Sequence, residues 1–503
     1  MGILHALDRV RFQGVLRCLY NQELFCEYLY QLKVLWKDFK AFACDLTRRV
    51  HQSAVDLAKA AGRPYRYLRS TNISKEQVIH ELLEQDAVHE GLVAVLSCVE
   101  PCRTYKVYGN RQTQKLELRL EASRCLHVYF YVQHPLWGLL HLRLQTWFPF
   151  LIHICVNGHE RLARQMAQKG VRYERADNRF TWLEDFARAQ GLADEQLQTD
   201  WVDFCEELRR TYHPLHAEIG QPLGGISYYW TAQETEYASD VLFRERAVLD
   251  RLFPRLVRHG MIQFNCAEVM RFLGKRLDAN FTGQVVSDLR QRHEGIRLKH
   301  WVNLNSIKLY NSLNVLRGET TINHAEDLRV FRSPETRPAA PKAWHPLRRG
   351  VADLHRRAQV SRAANERYLA ALAAANDATT LSEEALTICQ PVWQEGRRYR
   401  ALNPFNETDA QLFQLVNDGC WLIKGFRNRD LRQHLFKPTT DQKVRRRQAA
   451  QITRRLALLH AHGLIAKVSR THRWQVTTRG RRLLTAVLAA RSATTDQLVS
   501  LAA

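Results

Sequence analysis

What this 503-residue sequence lacks narrows its chemistry. No apolar run is long enough to span a bilayer: "LLHLRLQTWFPFLIHICV" is broken by His141, Arg143, Gln145, Pro149 and His153. The N-terminus "MGILHALDRVRF" has neither the apolar core of a signal peptide nor a hydroxyl residue where N-myristoylation wants one. A cytoplasmic protein with no membrane partner is therefore expected. The eleven cysteines are odd in number and scattered; Cys98 and Cys102 are the one close pair, with no second pair at zinc spacing. Free buried thiols in a reducing compartment are the expectation. Walker, Rossmann, HNH and serine-elbow patterns are absent, as is a long acidic nuclease run, so no nucleotide cofactor is expected and two-metal nuclease chemistry is disfavoured. Acid is short too: 51 Asp+Glu face 74 Lys+Arg, a net charge of +23. Nucleic acid is the first partner that such an excess suggests.

The excess is concentrated. Between Lys424 and Arg482 there are 17 Lys/Arg against Asp430 and Asp441, a local balance of +15. The same stretch has a folding pattern. Helical periodicity covers about 408–422, 427–436 and 444–463, the last with Ile452, Leu456 and Leu459 on one stripe. Gly463 is its stop, because glycine enters the left-handed region freely. Two apolar runs, 464–468 and 474–477, flank the polar tip Ser469-Arg470-Thr471-His472-Arg473, and a last helix covers 479–490. The phrase "LLHAHGLIAKVSRTHRWQVTTRGRRLL" resembles a winged helix-turn-helix domain over roughly the last 95 residues. The resemblance implies that the third helix enters the major groove of duplex DNA and that the hairpin lies on the backbone or the minor groove. Arg445, Arg446, Arg447, Gln448, Gln451, Arg454, Arg455, Arg470, His472 and Arg473 would then touch nucleic acid. A winged helix that binds protein is the alternative.

Upstream, residues 1–90 read as a helical N-terminal region. From Gly91 the period changes to two, and runs at 92–98, 104–108, 115–120, 125–132, 138–146 and 150–156 predict an antiparallel meander with a helix after it, filling 91–180. Residues 181–332 combine a helical segment with hairpins in "IRLKHWVNLNSIKLYNSLNVLRGETTI". A proline-rich strap and an alanine-rich helix occupy 333–395, and the basic domain fills 396–503. No internal repeat is visible. The fold class expected is α+β and multidomain.

Two constellations could carry chemistry. On the meander, His127, Tyr129 and Tyr131 share one strand face, His141, Arg143 and Gln145 another, and His153 follows on the third strand. If these strands pair in order, His127, His141 and His153 gather as a metal site or a phosphate-binding surface; the alternative is an ordinary solvated face. On the hairpin, Lys308 and Tyr310 oppose Arg317 and Glu319. Carboxylate for a metal, cation for phosphate and phenol as nucleophile would make a phosphodiester site, and an Arg–Glu cross-strand pair beside a packed tyrosine is the structural alternative.

The Lys-x-Tyr strand followed by Leu-Arg-x-Glu is similar to the late part of rolling-circle replication initiators of plasmids and filamentous phages, over about 25 residues. The resemblance implies a DNA nicking and strand-transfer enzyme of a mobile element with Tyr310 as nucleophile and Mg or Mn as cofactor. Two departures stand against it: Ser312 occupies the place of the lysine that usually follows the tyrosine, and no paired-histidine motif is present. The phrase "HLRLQTWFPF…VNGHERLARQM" also looks like a recurring type of bacterial protein with no function attached. The competing expectation is a non-catalytic binder of DNA, single strands or structured RNA, or a regulator.

Overall fold

The computed structural model of the chain describes residues 2–277, 281–292, 295–334, 340–373, 381–421, 425–468 and 471–496. It is a mixed α+β structure that divides into two compact units. One comprises Met1–Met261, Phe272–Lys275 and Gln284–Leu372; the other comprises Ile262–Arg271, Arg276–Gly283 and Ala373–Ala503.

The first unit is organised by its strands: β1 (Gly2–Val15), β2 (Tyr65–Leu68), β3 (Gly91–Asn110), β4 (Lys115–His134), β5 (Gly138–Gln145), β6 (Ile152–Asn157), β7 (Tyr173–Ala176), β8 (Arg179–Leu183), β9 (Tyr229–Leu242), β10 (Val285–Arg292), β11 (Gly295–Val302), β12 (Asn305–Ser312) and β13 (Val315–Ile322). All but β7 and β8, which form their own hairpin, lie in one eleven-stranded sheet of order β10-β11-β12-β13-β9-β1-β6-β5-β4-β3-β2. Only β2, which runs parallel to β3, breaks the antiparallel rule. The predicted meander and the predicted hairpins are thus two ends of a single sheet.

That sheet is built twice over. β1 leads through helices into the meander β3-β4-β5-β6, whose last strand returns beside β1. β9 leads through helices into the meander β10-β11-β12-β13, whose last strand returns beside β9. β1 and β9 pair antiparallel from Gly2↔Leu242 to Val15↔Tyr229 and join the halves. This repeat is topological and leaves no repeated motif in the sequence.

Two central strands correct the sequence reading. The N-terminal region begins with β1, and β9 crosses the stretch expected to be helical. Both carry irregularities that break a period of two, one between Leu7 and Arg9 and one between Arg11 and Phe12, where β9 has the extra residue Gln233. The four short strands expected between 92 and 132 merge in pairs into β3 and β4, each 20 residues long. In the strap, Arg329–Arg332 pairs with Ala343–Pro346, and the alanine-rich helix runs Leu354–Ala373.

The core lies on one face of the sheet. Val10, Phe12, Val128, Phe130, Leu142, Leu144, Ile152 and Ile154 pack there with Phe39, Ala43, Leu46 and Val50 of helix Phe39–Ala60 and with Trp201 and Phe204 of helix Trp201–Tyr212. In the other half, Asn365 of helix Leu354–Ala373 donates to the Tyr237 carbonyl and the Ser239 hydroxyl and accepts from Thr320. Where β6 has ended, the Gln190 amide stands in for a strand by bonding both the N–H and the C=O of His5.

The second unit has a separate core of Leu412, Phe413, Leu431, Ile452, Leu456, Leu459, Ile465 and Leu483. Its helices Glu407–Val416, Asn428–Leu435 and Gln442–Ala461 precede the hairpin Ile465–Lys467/Trp474–Val476, and helix Thr478–Ser492 follows. Local chemistry sets these limits. Asp441 caps the N–H groups of Lys443 and Val444, Thr477 caps Gly480, and Gly463 has φ +70° after the long helix.

Candidate functional sites on one sheet face

Register gathers both constellations on the face opposite the core. Tyr129↔Arg143↔His153 and Tyr131↔His141↔Cys155 run across β4, β5 and β6, and Gln13↔His153 and Arg11↔Cys155 continue into β1. Arg9↔Glu236 and Arg11↔Glu234 pass to β9, and Arg317↔Asp240 and Thr321↔Glu236 pass to β13. Lys308↔Glu319 and Tyr310↔Arg317 complete the row on β12.

At one end lies a cavity of about 790 Å³ lined by His127, His141, His153, Tyr129, Arg143 and Arg9 among others. The three predicted histidines share this cavity without forming a ligand set. His141 stacks against Tyr129 and Tyr131, and Arg143 is the cross-strand partner of His153. Burial first, and cations including Arg143 after it, hold His141 at about 4 and His153 at about 3, so both are neutral imidazoles at pH 7. The cavity's cations are themselves engaged. Glu100 takes Lys75 at 2.8 Å and Arg143 at 2.9 Å, and the Tyr129 hydroxyl donates to it at 2.5 Å. Glu234 takes Arg9 at 3.1 Å and Arg11 at 3.4 Å. Burial opposes the charge of Glu100, but these donors outweigh it and keep its pKa below the usual value.

The hairpin quartet does come together, inside a buried ion network. The Lys308 ammonium lies 2.7 Å from Glu236 and 2.5 Å from Glu319, and the Tyr310 hydroxyl donates to the other Glu319 oxygen at 2.5 Å. Arg317 is fully buried. Its Nε and Nη2 donate to Asp240 at 2.6 and 2.7 Å, Nη1 donates to Asp8 at 3.0 Å, and Nη2 also donates to the Asn178 carbonyl at 2.9 Å. The His159 ring lies between Asp8 and Asp240, at 3.4 and 3.7 Å. Burial works against every one of these charges. Arg317 and His159 nevertheless hold Asp8 far below the usual carboxylate range and Asp240 at about 2, and Asp240 and Asp8 raise Arg317. Tyr310 is pushed well above an ordinary phenol, first by burial and then by the charge of Glu319.

Asp8, Glu236 and Glu319 form the carboxylate group that would take Mg or Mn. It fits such an ion poorly, because Lys308 already bridges Glu236 and Glu319 while Arg317 holds Asp8. Sequence reasoning missed Asp8, Glu236, Asp240 and His159, whose strands it had read as helix or whose contacts are long-range. It also missed that Cys102 faces Cys125 of the next strand and not its sequence neighbour Cys98.

In the second unit, Arg445, Arg446, Arg447, Gln451, Arg454 and His472 are exposed, while Gln448, Arg455 and Arg473 are half-buried. Arg470 lies outside the described residues.

No family model, curated protein or solved structure matches this chain.

Two outcomes follow from these contacts. Asp240→Asn removes one charge from a buried pair at nearly constant volume, so denaturant melts should show a loss of roughly 3–5 kcal/mol; a loss under about 1 kcal/mol would mean that Asp8 holds the guanidinium alone. For His141 and His153 the folded pKa lies below the ordinary imidazole value of 6.5, so the unfolded chain binds more protons as pH falls. Their contribution is intact above about 6.5 and is lost toward about 4, so the melting temperature should fall across that window. His141→Gln with His153→Gln should flatten the dependence.

Proposed function

We propose that this chain is a nucleic-acid-binding protein whose C-terminal unit acts as a winged helix-turn-helix on duplex DNA. One observation carries the reading. Helix Gln442–Ala461 presents Arg445, Arg446 and Arg447, all exposed and in no ion pair among the described residues, beside the packed helix Asn428–Leu435 and ahead of a two-stranded hairpin. Three arginines elsewhere in the same unit do have carboxylate partners: Arg400 has Asp409, Arg482 has Glu384 and Arg491 has Glu407. Unpaired cations on a helix after a helix-turn suit phosphate and base-edge contact.

The body supports binding or scaffolding better than strand nicking. A tyrosine nucleophile has to shed its proton, whereas the Tyr310 hydroxyl donates to Glu319 and burial keeps it protonated. Lys308 and Arg317, the cations that would meet a scissile phosphate, are buried and saturated by carboxylates. These contacts support a structural role for the quartet, although the expected Arg–Glu pair is replaced: Glu319 pairs with Lys308, and Arg317 with Asp240 and Asp8.

Replacing Arg445, Arg446 and Arg447 by alanine should weaken duplex binding and make the slope of log K against log salt shallower by roughly 2–3, at about 0.9 per phosphate contact. An unchanged slope and affinity in fluorescence anisotropy would turn the unit into a protein adaptor. Incubated with single-stranded or supercoiled DNA and Mg²⁺ or Mn²⁺, the wild-type protein should form no covalent adduct. An adduct that Tyr310→Phe abolishes would restore the nicking reading.

A further inference from the structure

The cavity in the first unit has one side whose donors are soft. Cys102 on β3 and Cys125 and His127 on β4 each offer a ligand atom, and the three atoms lie within 4.8 Å of one another. Register explains the grouping. Glu100 pairs with Cys125 and Cys102 with Ser123, so the two thiols sit on a diagonal between adjacent antiparallel strands, and His127 follows Cys125 by one period on the same face. The sulfurs are 3.4 Å apart, and His127 Nδ1 is 4.0 Å from Cys125 Sγ. A tetrahedral zinc with bonds of about 2.3 Å to sulfur and about 2.0 Å to nitrogen separates its ligands by about 3.8 Å (S···S) and about 3.6 Å (S···N). The sulfurs are about 0.4 Å closer than this and the nitrogen about 0.4 Å further, so small side-chain shifts bring the three atoms to zinc spacing. A disulfide, by contrast, requires sulfurs at about 2.05 Å.

We infer that Cys102, Cys125 and His127 form a zinc site with three protein ligands and an open fourth position. Cys102 and His127 both line the cavity, so the fourth position faces it and takes water or an anionic ligand. Two thiolates and an imidazole select zinc over magnesium or manganese, which prefer oxygen. Both thiols lose their protons on binding, so the site empties in acid. His127 Nδ1 lies 3.2 Å from the Cys125 carbonyl oxygen, so binding zinc through Nδ1 requires the ring to give up that contact. This site is independent of DNA binding by the second unit, and it differs from the expected histidine trio: only His127 of the three takes part.

The test uses the full-length protein purified under reducing conditions without chelator and dialysed against metal-free buffer. Mass spectrometry of the metal should find about one zinc per chain, and cobalt(II) added to the chelated protein should give the intense visible spectrum of a tetrahedral thiolate site. Cys102→Ser replaces a half-buried thiol with its near-isostere, so its melting curve should match that of the chelated, zinc-free wild type and its duplex affinity that of wild type, while zinc and the cobalt spectrum are lost. His127→Gln should reproduce the loss. No retained zinc in the wild type overturns the inference, as does zinc kept equally by Cys102→Ser, which would place the ion at exposed thiols such as Cys44 and Cys266. A reductant-sensitive Cys102–Cys125 crosslink in zinc-free protein overturns it in favour of a disulfide.

Discussion

The sheet depends on how it accommodates Arg317. A guanidinium at 2% exposure is far too costly to bury alone, so its position on β13 requires acceptors from other elements. Asp240 on β9 supplies two contacts and Asp8 on β1 one, while Asn178, between β7 and β8, offers its carbonyl. One side chain therefore fixes the relation of the β9–β13 half to the β1–β6 half at the line where they meet. Apolar packing would hold those strands together as firmly, but it would tolerate a slip of register more readily than a bidentate pair does.

Asp8 earns its place through a bulge. On β1, Leu4 and Ala6 share a face with Asp240; Asp8 is the extra residue; after it Arg9 and Arg11 share that face. The phase shift keeps apolar side chains under the cluster that packs on helix Gly158–Gln168, then turns arginines toward the histidine cavity further along the same strand. A regular strand could satisfy only one of these surroundings.

The same shift explains what the sequence could convey. The pairs Lys308–Glu319 and Tyr310–Arg317 were legible because β12 and β13 are regular, short and joined by a tight turn, so alternation alone sets their register. His127, His141 and His153 were legible as neighbours for the same reason. β1 and β9 were not, since each mixes apolar and charged residues across an irregularity, and the alternation of Arg9–Val15 does not extend through the buried run Leu4–Asp8 before it. Cys102 and Cys125 escaped because a diagonal contact between two 20-residue strands depends on a register that only the finished pairing defines. The later helices and the hairpin of the second unit were legible to within about two residues, whereas the first helix, expected to reach 422, ends at Val416. Their caps, Asp441, Gly463 and Thr477, are local and need no long-range partner to act.

Charge then separates the roles of the two units. Five cations on the body's polar face are held by internal carboxylates: Arg9 and Arg11 by Glu234, Arg143 by Glu100, Lys308 by Glu319, Arg317 by Asp240; Arg297 and Lys299 on β11 share the face without a carboxylate partner among the described residues. Polyphosphate approaching that face would have to displace those carboxylates before gaining a contact, which costs several kcal/mol at a buried pair. Helix Gln442–Ala461 would impose no such exchange on the proposed partner, since Arg445, Arg446 and Arg447 are exposed and unpaired among the described residues and would need only to release its counterions. A net charge of +23 therefore overstates the body as a nucleic-acid surface. What the body offers at its cavity is a set of neutral imidazoles, phenols and thiols among arginines largely tied to Glu100 and Glu234, an arrangement better suited to holding a metal or a small ligand than to gripping a long charged backbone.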